Sequence, residues 1–176
     1  DGERYGTVLS NGSGWWYIDP RTGMVDFSYT GLARNEFPGD DWYHYWYVEN
    51  GQVNFNYNGF LTYTSSYNEP AVCYITGGQA DANVNGVYQL TVNGKTDWYG
   101  FWRGMTAYNE VQMNPNDGSW WYVGNDGVID FSYTGIAYRH DQEGYSLDSW
   151  YVKNGRVDFS YNGWYKYVSG DYSSSY

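Results

Sequence analysis

At 176 residues and 20.4 kDa, the chain is one ordinary domain or a short array of small repeats. Twenty acidic residues stand against nine basic ones, for a net charge of −11. That balance excludes nucleic acid, whose phosphates need a basic footprint, and disfavours an anionic membrane surface. No apolar run approaches the ~20 residues that span a bilayer, so no membrane insertion is expected.

Leu, Ile, Val and Phe together number only 30, whereas Tyr, Trp and Phe make up 23 % of the chain. So few aliphatics with so much charge would ordinarily mean disorder. The aromatics reverse that, since each buried ring removes roughly 150–250 Å² from water. The expected core is therefore built from Trp and Tyr. The single cysteine, Cys73, has no internal disulfide partner. The chain opens at Asp1 with no signal-peptide pattern, as a mature or excised fragment would.

One phrase recurs along the chain. Trp16-Tyr17-Ile18 is followed by a turn at Asp19 to Gly23, then Val25-Asp26-Phe27-Ser28-Tyr29-Thr30-Gly31. Trp46-Tyr47-Val48 turns at Asn50-Gly51 into Val53-Asn54-Phe55-Asn56-Tyr57-Asn58-Gly59. A worn third copy runs Cys73-Tyr74-Ile75, Gly77-Gly78, then Ala80-Asp81-Ala82-Asn83-Val84-Asn85-Gly86, with Cys73 standing where the others have Trp. A degenerate unit spans Leu90 to Gly104. Two clean copies follow, from Trp121 to Gly135 and from Trp150 to Gly163. Units therefore lie near 15–31, 45–59 and 73–86 in a first block (1–86). Those near 90–104, 120–135 and 150–163 form a second block (87–176), and the two blocks are expected to make one continuous repeat domain. A larger period overlies these units, because Gly31 and Gly135 are 104 residues apart, as are Gly59 and Gly163. The chain reads as part of a longer array cut in mid-phase.

Each copy reads as a β-hairpin. Asn50-Gly51, Asn93-Gly94 and Asn154-Gly155 are type I′ turn signals between alternating runs. Alternation on the outgoing arm puts Val25, Phe27 and Tyr29 on one face and Asp26 and Ser28 on the other. Phe27, Phe55, Phe131 and Phe159 are accordingly expected in the core. The expected fold is all-β, with aromatic hairpins stacked as a β-solenoid-like array. Longer polar connectors near 34–41 and 139–148 interrupt it.

The stretch Gly14-Trp15-Trp16-Tyr17-Ile18-Asp19-Pro20-Arg21-Thr22-Gly23-Met24 resembles the cell-wall-binding repeats of Gram-positive surface proteins, of the choline-binding and glucan-binding type. Their pattern runs Gly-Trp-Tyr-Tyr, a short Asp/Asn-rich turn, Gly-x-Met, then Thr-Gly-Trp, and Thr30-Gly31 and Thr134-Gly135 match its end. The chain departs from that pattern in an extra Asp-Phe-Ser-Tyr pair of residues, in longer unit spacing, and in the closing Trp. Leu32, Phe60 and Ile136 replace that Trp, and only Trp164 keeps it. The resemblance implies a non-catalytic, surface-displayed binding array, secreted or held at the bacterial cell surface, whose aromatics cage choline or form a platform for sugar rings.

Nothing in the sequence points to catalysis. His44 and His140 fall at non-equivalent places, no cluster has metal-ligand spacing, and no cofactor motif is present. Cys73 reads as a small core substitute for Trp. Asn114 to Gly118 could offer oxygens to calcium but lacks the alternating ligands of a calcium loop, and reads as a turn. Asp26, Asp130 and Asp158 hold one repeated position, which suggests a repeated structural task such as a turn hydrogen bond, and not an acid/base pair.

The aromatics carry the functional signal. Alternation puts Tyr17, Tyr47, Tyr74, Tyr122 and Tyr151 opposite the row of Trp16, Trp46, Trp121 and Trp150, so a buried Trp row leaves the Tyr row exposed. Trp42, Tyr43, Trp98 and Trp102 lie outside the consensus and are candidates for specificity. Tyr17, Tyr47, Tyr122 and Tyr151 with Trp42, Tyr43, Trp98 and Trp102 are the expected ligand site, for a glycan or cell-wall polymer. Two alternatives stay open: an adhesin that binds a host protein such as immunoglobulin or a mucin glycoprotein, and a structural stalk.

Overall fold

A computed structural model describes residues 7–35, 44–64, 70–140 and 146–165. All the regular elements among them are β-strands. The chain divides into two compact units, Asp1–Asn85 with Phe101–Thr106, and Gly86–Gly100 with Ala107–Tyr176. The first break lies beside the boundary expected at 86/87, but the first unit also takes Phe101–Thr106 from beyond it.

In the first unit, β1 (Thr7–Ser10) and β2 (Trp15–Ile18) form an antiparallel hairpin. β3 (Gly31–Asn35) runs parallel to β1 and antiparallel to β4 (His44–Glu49). β4 turns into the two-residue β5 (Gln52–Val53), which pairs back onto β2 through Trp16 and Gln52. Five strands thus close on themselves. A further hairpin follows, of β6 (Gly59–Thr64) and β7 (Pro70–Thr76), and β7 turns into β8 (Gln79–Ala80). β8 joins β4 at Trp46 and Gln79.

The second unit opens with β9 (Gly86–Val92) and β10 (Lys95–Trp102), the last two residues of β10 counting with the first unit. β11 (Met105–Thr106) also belongs to the first unit, where it pairs with β7 at Cys73. β12 (Glu110–Met113), β13 (Trp120–Val123), β14 (Gly135–His140), β15 (Ser146–Lys153) and β16 (Arg156–Val157) then repeat the first circuit. β12 pairs antiparallel with β13 and parallel with β14, and β13 meets β16 at Trp121 and Arg156.

These closed circuits are a correction to the plain hairpin stack that the repeats suggest. The cause is a strand ahead of each double-Trp strand, β1 and β12, which pairs with the third strand and removes an open edge. The turn expectations hold. Asn50-Gly51 (φ 50° and 77°), Asn93-Gly94 (52° and 80°) and Asn154-Gly155 (50° and 76°) all have the double positive φ of type I′. Gly77-Gly78 and Arg103-Gly104 share it, the latter with a non-glycine first residue that gave no sequence signal.

The outgoing arm is the larger correction. It stays strand for only two residues and then enters a side-chain-capped loop. Asp26 Oδ1 accepts from the N–H of Ser28 at 2.9 Å and its hydroxyl at 2.6 Å. Asp130 does the same for Ser132, and Asp158 for Ser160. Asn54 and Asp81 accept the N–H of Asn56 and Asn83. These are Asx turns, in which a short side chain replaces the ladder bond and ends the strand. The repeated carboxylate is therefore a turn residue, one of the two structural tasks expected for it.

Loss of the strand period inverts the expected core. Phe27, Phe55, Phe131 and Phe159 are exposed, at 66, 45, 51 and 61 %. The interior is made instead of Val8, Tyr17, Ala33, Val48 and Val53 in the first circuit. Val111, Ala137, Val152 and Val157 form that of the second. Cys73 does sit in a core, fully buried with Leu32, Tyr47 and Ile75.

Candidate functional site

Four of these Asx loops, all but the one at Asp81, return a tyrosine to the Tyr of the preceding strand and leave a phenylalanine against the Trp. Tyr29 stacks on Tyr17 at 3.6 Å between ring centroids, Tyr133 on Tyr122 at 3.7 Å and Tyr161 on Tyr151 at 4.1 Å. The hydroxyls of Tyr29, Tyr57, Tyr133 and Tyr161 each donate to the carbonyl three residues on, at 2.6–2.9 Å. The Tyr–Tyr stack is thus a structural brace.

The phenylalanines have a different environment. Phe27 meets Trp16 edge-on at 5.7 Å and 71°, and Phe131 meets Trp121 at 5.6 Å and 71°. Phe55 meets Trp46 at 5.7 Å and 75°, and Phe159 meets Trp150 at 5.1 Å and 79°. All four pairs share one edge-on geometry, and in each the Phe residue is exposed, by 45–66 %.

The fold uses these phenylalanines through their backbones. Gly51 crosses the loop of the preceding unit so closely that a Cβ there would lie 2.5 Å from the Asp26 carbonyl oxygen and 2.6 Å from Phe27 Cα. Gly78 stands over Asn54 and Phe55, and Gly155 over Asp130 and Phe131, in the same way. In the third copy Gly104 closes on Asp81, and the residue that follows is Ala82. The junction therefore forms without a phenyl ring.

The expected site residues are dispersed. Tyr17 and Tyr47 are buried, at 7 and 8 %, and offer no face to a ligand, which corrects the exposed Tyr row. The half-buried Trp row takes the outer position, because the loop brings a second Tyr onto the first. Tyr122 is half-buried and lines an open cleft of about 550 Å³ with Lys95, Asp97, Asn109, Asp126 and Asp130. Its hydroxyl donates to Asn109 Oδ1 at 3.3 Å, and burial, with the Asp130 charge secondary, raises its pKa. Tyr151 lines a second cleft of about 610 Å³ with Trp150, Phe159, Tyr161 and Tyr165. Trp98 packs against Val87, Val123 and Ile129, and Trp102 pairs with Met105. Trp42 and Tyr43 lie outside the described residues.

The remaining polar groups support structure. Asn114 Oδ1 accepts from Asn116 N–H, and Gly118 N–H donates to the Asn114 carbonyl, which makes a tight turn between β12 and β13. His44 Nδ1 faces Gln79 Nε2. Burial pushes the Cys73 thiol up to about 12. No group of three or more His, Cys, Asp and Glu among the described residues is arranged to hold a metal ion. Comparison with protein-family models finds no match, and comparison with curated proteins finds none.

Proposed function

We propose that the chain is a non-catalytic binding module for a repetitive glycan, contacted through the exposed Phe rings of the pairs 27/16, 55/46, 131/121 and 159/150 and the half-buried Trp beside each. One observation carries this reading. Four large apolar residues are exposed, by 45–66 %, at one repeated position, where the third copy has Ala82 and still forms the glycine junction. A ring that the fold does not need, exposed against its transfer preference, is accounted for by a ligand. Its repetition matches a ligand that also repeats. Phenyl edges and faces pack on the apolar C–H faces of sugars, while the Asp, Asn and Ser of the same loops supply partners for hydroxyls. Each contact is weak, and several on one polymer gain strength through effective concentration. The recurring glycine junction supports reading the hairpins as steps of a β-solenoid-like array that would set the spacing of these pairs. In this reading the module works at a bacterial cell surface or in secreted form.

The test is a parallel capture experiment with the full chain immobilised. Gram-positive cell-wall glycans, common polysaccharides and serum proteins are offered separately, with elution by choline and by oligosaccharides. Capture of a polysaccharide and its release by oligosaccharide is the expected result. Capture of a serum protein alone, or of nothing, contradicts the proposal.

A further inference from the structure

Asn followed by Gly occurs seven times in this chain, at Asn11, Asn50, Asn58, Asn85, Asn93, Asn154 and Asn162. Such a pair is prone to attack by its own backbone, because no Cβ on the second residue keeps its nitrogen from the first side chain. By sequence the seven are alike. By structure they are not, and hydrogen bonds hold five of them. Asn50 and Asn154 donate their N–H groups to the hydroxyls of Thr30 and Thr134 at 3.1 Å. The glycines that follow, Gly51 and Gly155, are buried and donate to the carbonyls of Tyr29 and Tyr133 at 2.8 Å. The Asn58 side chain accepts from Gly77 N–H and donates to the Asn56 carbonyl. The Asn85 side chain accepts from Arg103 N–H and donates to the carbonyls of Ala82 and Asn83. The Asn11 oxygen accepts from the N–H and hydroxyl of Ser13, from Gly14 N–H and from the Trp16 indole.

Asn93-Gly94 is different. It turns β9 into β10 with φ of 52° and 80°, and both residues are exposed. From Thr91 to Thr96 only Val92 is even half-buried. A Cβ on Gly94 would meet nothing within 4 Å, and no backbone carbonyl among the described residues receives its N–H as Tyr29 and Tyr133 receive those of Gly51 and Gly155. Among the described residues no hydrogen bond holds the Asn93 side-chain amide. The hairpin tip can therefore open by itself, with the loss of little more than the exposed Thr91–Thr96 hydroxyl bond. Asn50-Gly51 and Asn154-Gly155 open only when the glycine junction comes apart. Asn162-Gly163, near the end of the described residues, is not ranked.

We propose that Asn93 is a site of spontaneous deamidation in the folded protein, ahead of the five Asn-Gly pairs that hydrogen bonds hold. In the opened turn the Gly94 backbone nitrogen gives its proton to hydroxide and attacks the Asn93 side-chain carbonyl carbon. A nitrogen–carbon bond forms, the bond to the side-chain nitrogen breaks, and that nitrogen leaves as ammonia. Water then opens the five-membered imide at one or the other carbonyl. One opening gives aspartate, and the other gives isoaspartate, whose main chain runs through Cβ. No atom is oxidised or reduced. Either product places a new carboxylate two residues from Lys95, whose ammonium pairs with Asp97 at 2.7 Å. Isoaspartate also adds a methylene to the main chain of the turn, which the two-residue type I′ geometry does not accommodate.

Incubation of the full chain in mildly alkaline buffer, with peptide mapping by mass spectrometry over time, tests this. Each deamidation adds one dalton, and chromatography separates the aspartate and isoaspartate peptides. In the folded chain Asn93 is expected to react at least about tenfold faster than Asn50 or Asn154, since the rate follows the population of the opened turn. Asn11, Asn58 and Asn85 are expected to lag as well. The same incubation in guanidinium chloride removes the fold, and there the rates are expected to converge. Asn93→Gln alters one exposed side chain and is expected to abolish the early gain in mass. Asn50 or Asn154 reacting as fast as Asn93 in the folded chain overturns the proposal. So does an Asn93 that stays intact while the unfolded chain reacts, or a ranking that unfolding leaves unchanged.

Discussion

The N–H of Gly155 donates to the carbonyl of Tyr133 at 2.8 Å, and no side chain fits between the Gly155 Cα and the loop beneath it. A Cβ at Gly155 would lie 2.6 Å from the Asp130 oxygen, whereas one at Gly94 would meet nothing, although both glycines have φ near +80°. The pair separates backbone strain from overlap. Gly94→Ala is expected to cost about 1 kcal/mol, the left-handed penalty alone. Gly155→Ala is expected to cost about 2–4 kcal/mol, since the overlap adds to it. Urea unfolding of the two variants measures the difference, and equal costs would show that the junction gives way freely.

Asp130 acts through one oxygen that accepts two bonds from Ser132. Asparagine offers the same oxygen and stands naturally at position 54, where it accepts the Asn56 N–H. Asp130→Asn keeps the turn acceptor but not the favoured charge, and is therefore expected to lose less than Asp130→Ala, which loses about 1 kcal/mol. Chemical denaturation distinguishes them. Equal losses in the two variants would assign the effect to charge and not to the turn.

The hairpin turns and the structural nature of the repeated carboxylate were legible in the residues, because Asn-Gly and a recurrent Asp are local signals. The inward face was not. Alternation along Val25 to Tyr29 assumes a strand, but Asp26 and Ser28 end the strand after Val25 and send Phe27 outward. Two signals in the same residues oppose the alternation: Asp-x-Ser is a turn pattern, and the third copy places Ala82 where the others have Phe. The closing strands β1 and β12 were missed as well. They precede the Trp motif and share with each other little more than Val8 and Val111, each facing a core. The expected site suffered from the same inversion, since burial of Tyr17 and Tyr47 follows from the loop and not from strand alternation.

Acid should loosen these loops. The hydroxyl and N–H of the following serine hold Asp26, Asp130 and Asp158 below the usual 3.8, and the bonds to Asn83 and Thr76 do so for Asp81. A carboxylate with a lowered folded pKa contributes its stabilisation fully above its unfolded value and loses it as pH falls toward the folded one. Thermal midpoints should thus be flat above about pH 5 and fall below about pH 4. A midpoint that rises on acidification would contradict this.

Cys73 is buried and its thiol is pushed up to about 12. At pH 8 it holds almost no thiolate and is shielded from reagent. A disulfide reagent is expected to leave the folded chain unmodified and to label one thiol per chain once urea unfolds it. Rapid labelling of the native chain would place Cys73 at the surface.

The most direct test of glycan binding through the phenylalanines is a graded series. Phe27, Phe55, Phe131 and Phe159 are changed to Ala singly and then cumulatively, and binding to the captured polysaccharide is measured by titration calorimetry alongside urea unfolding. Each change is expected to cost about 1 kcal/mol of stability or less, the worth of an edge-on aromatic pair. Affinity is expected to fall stepwise until the fourfold variant, still folded, no longer binds. A fourfold variant that binds as tightly as the unaltered chain would contradict the proposal.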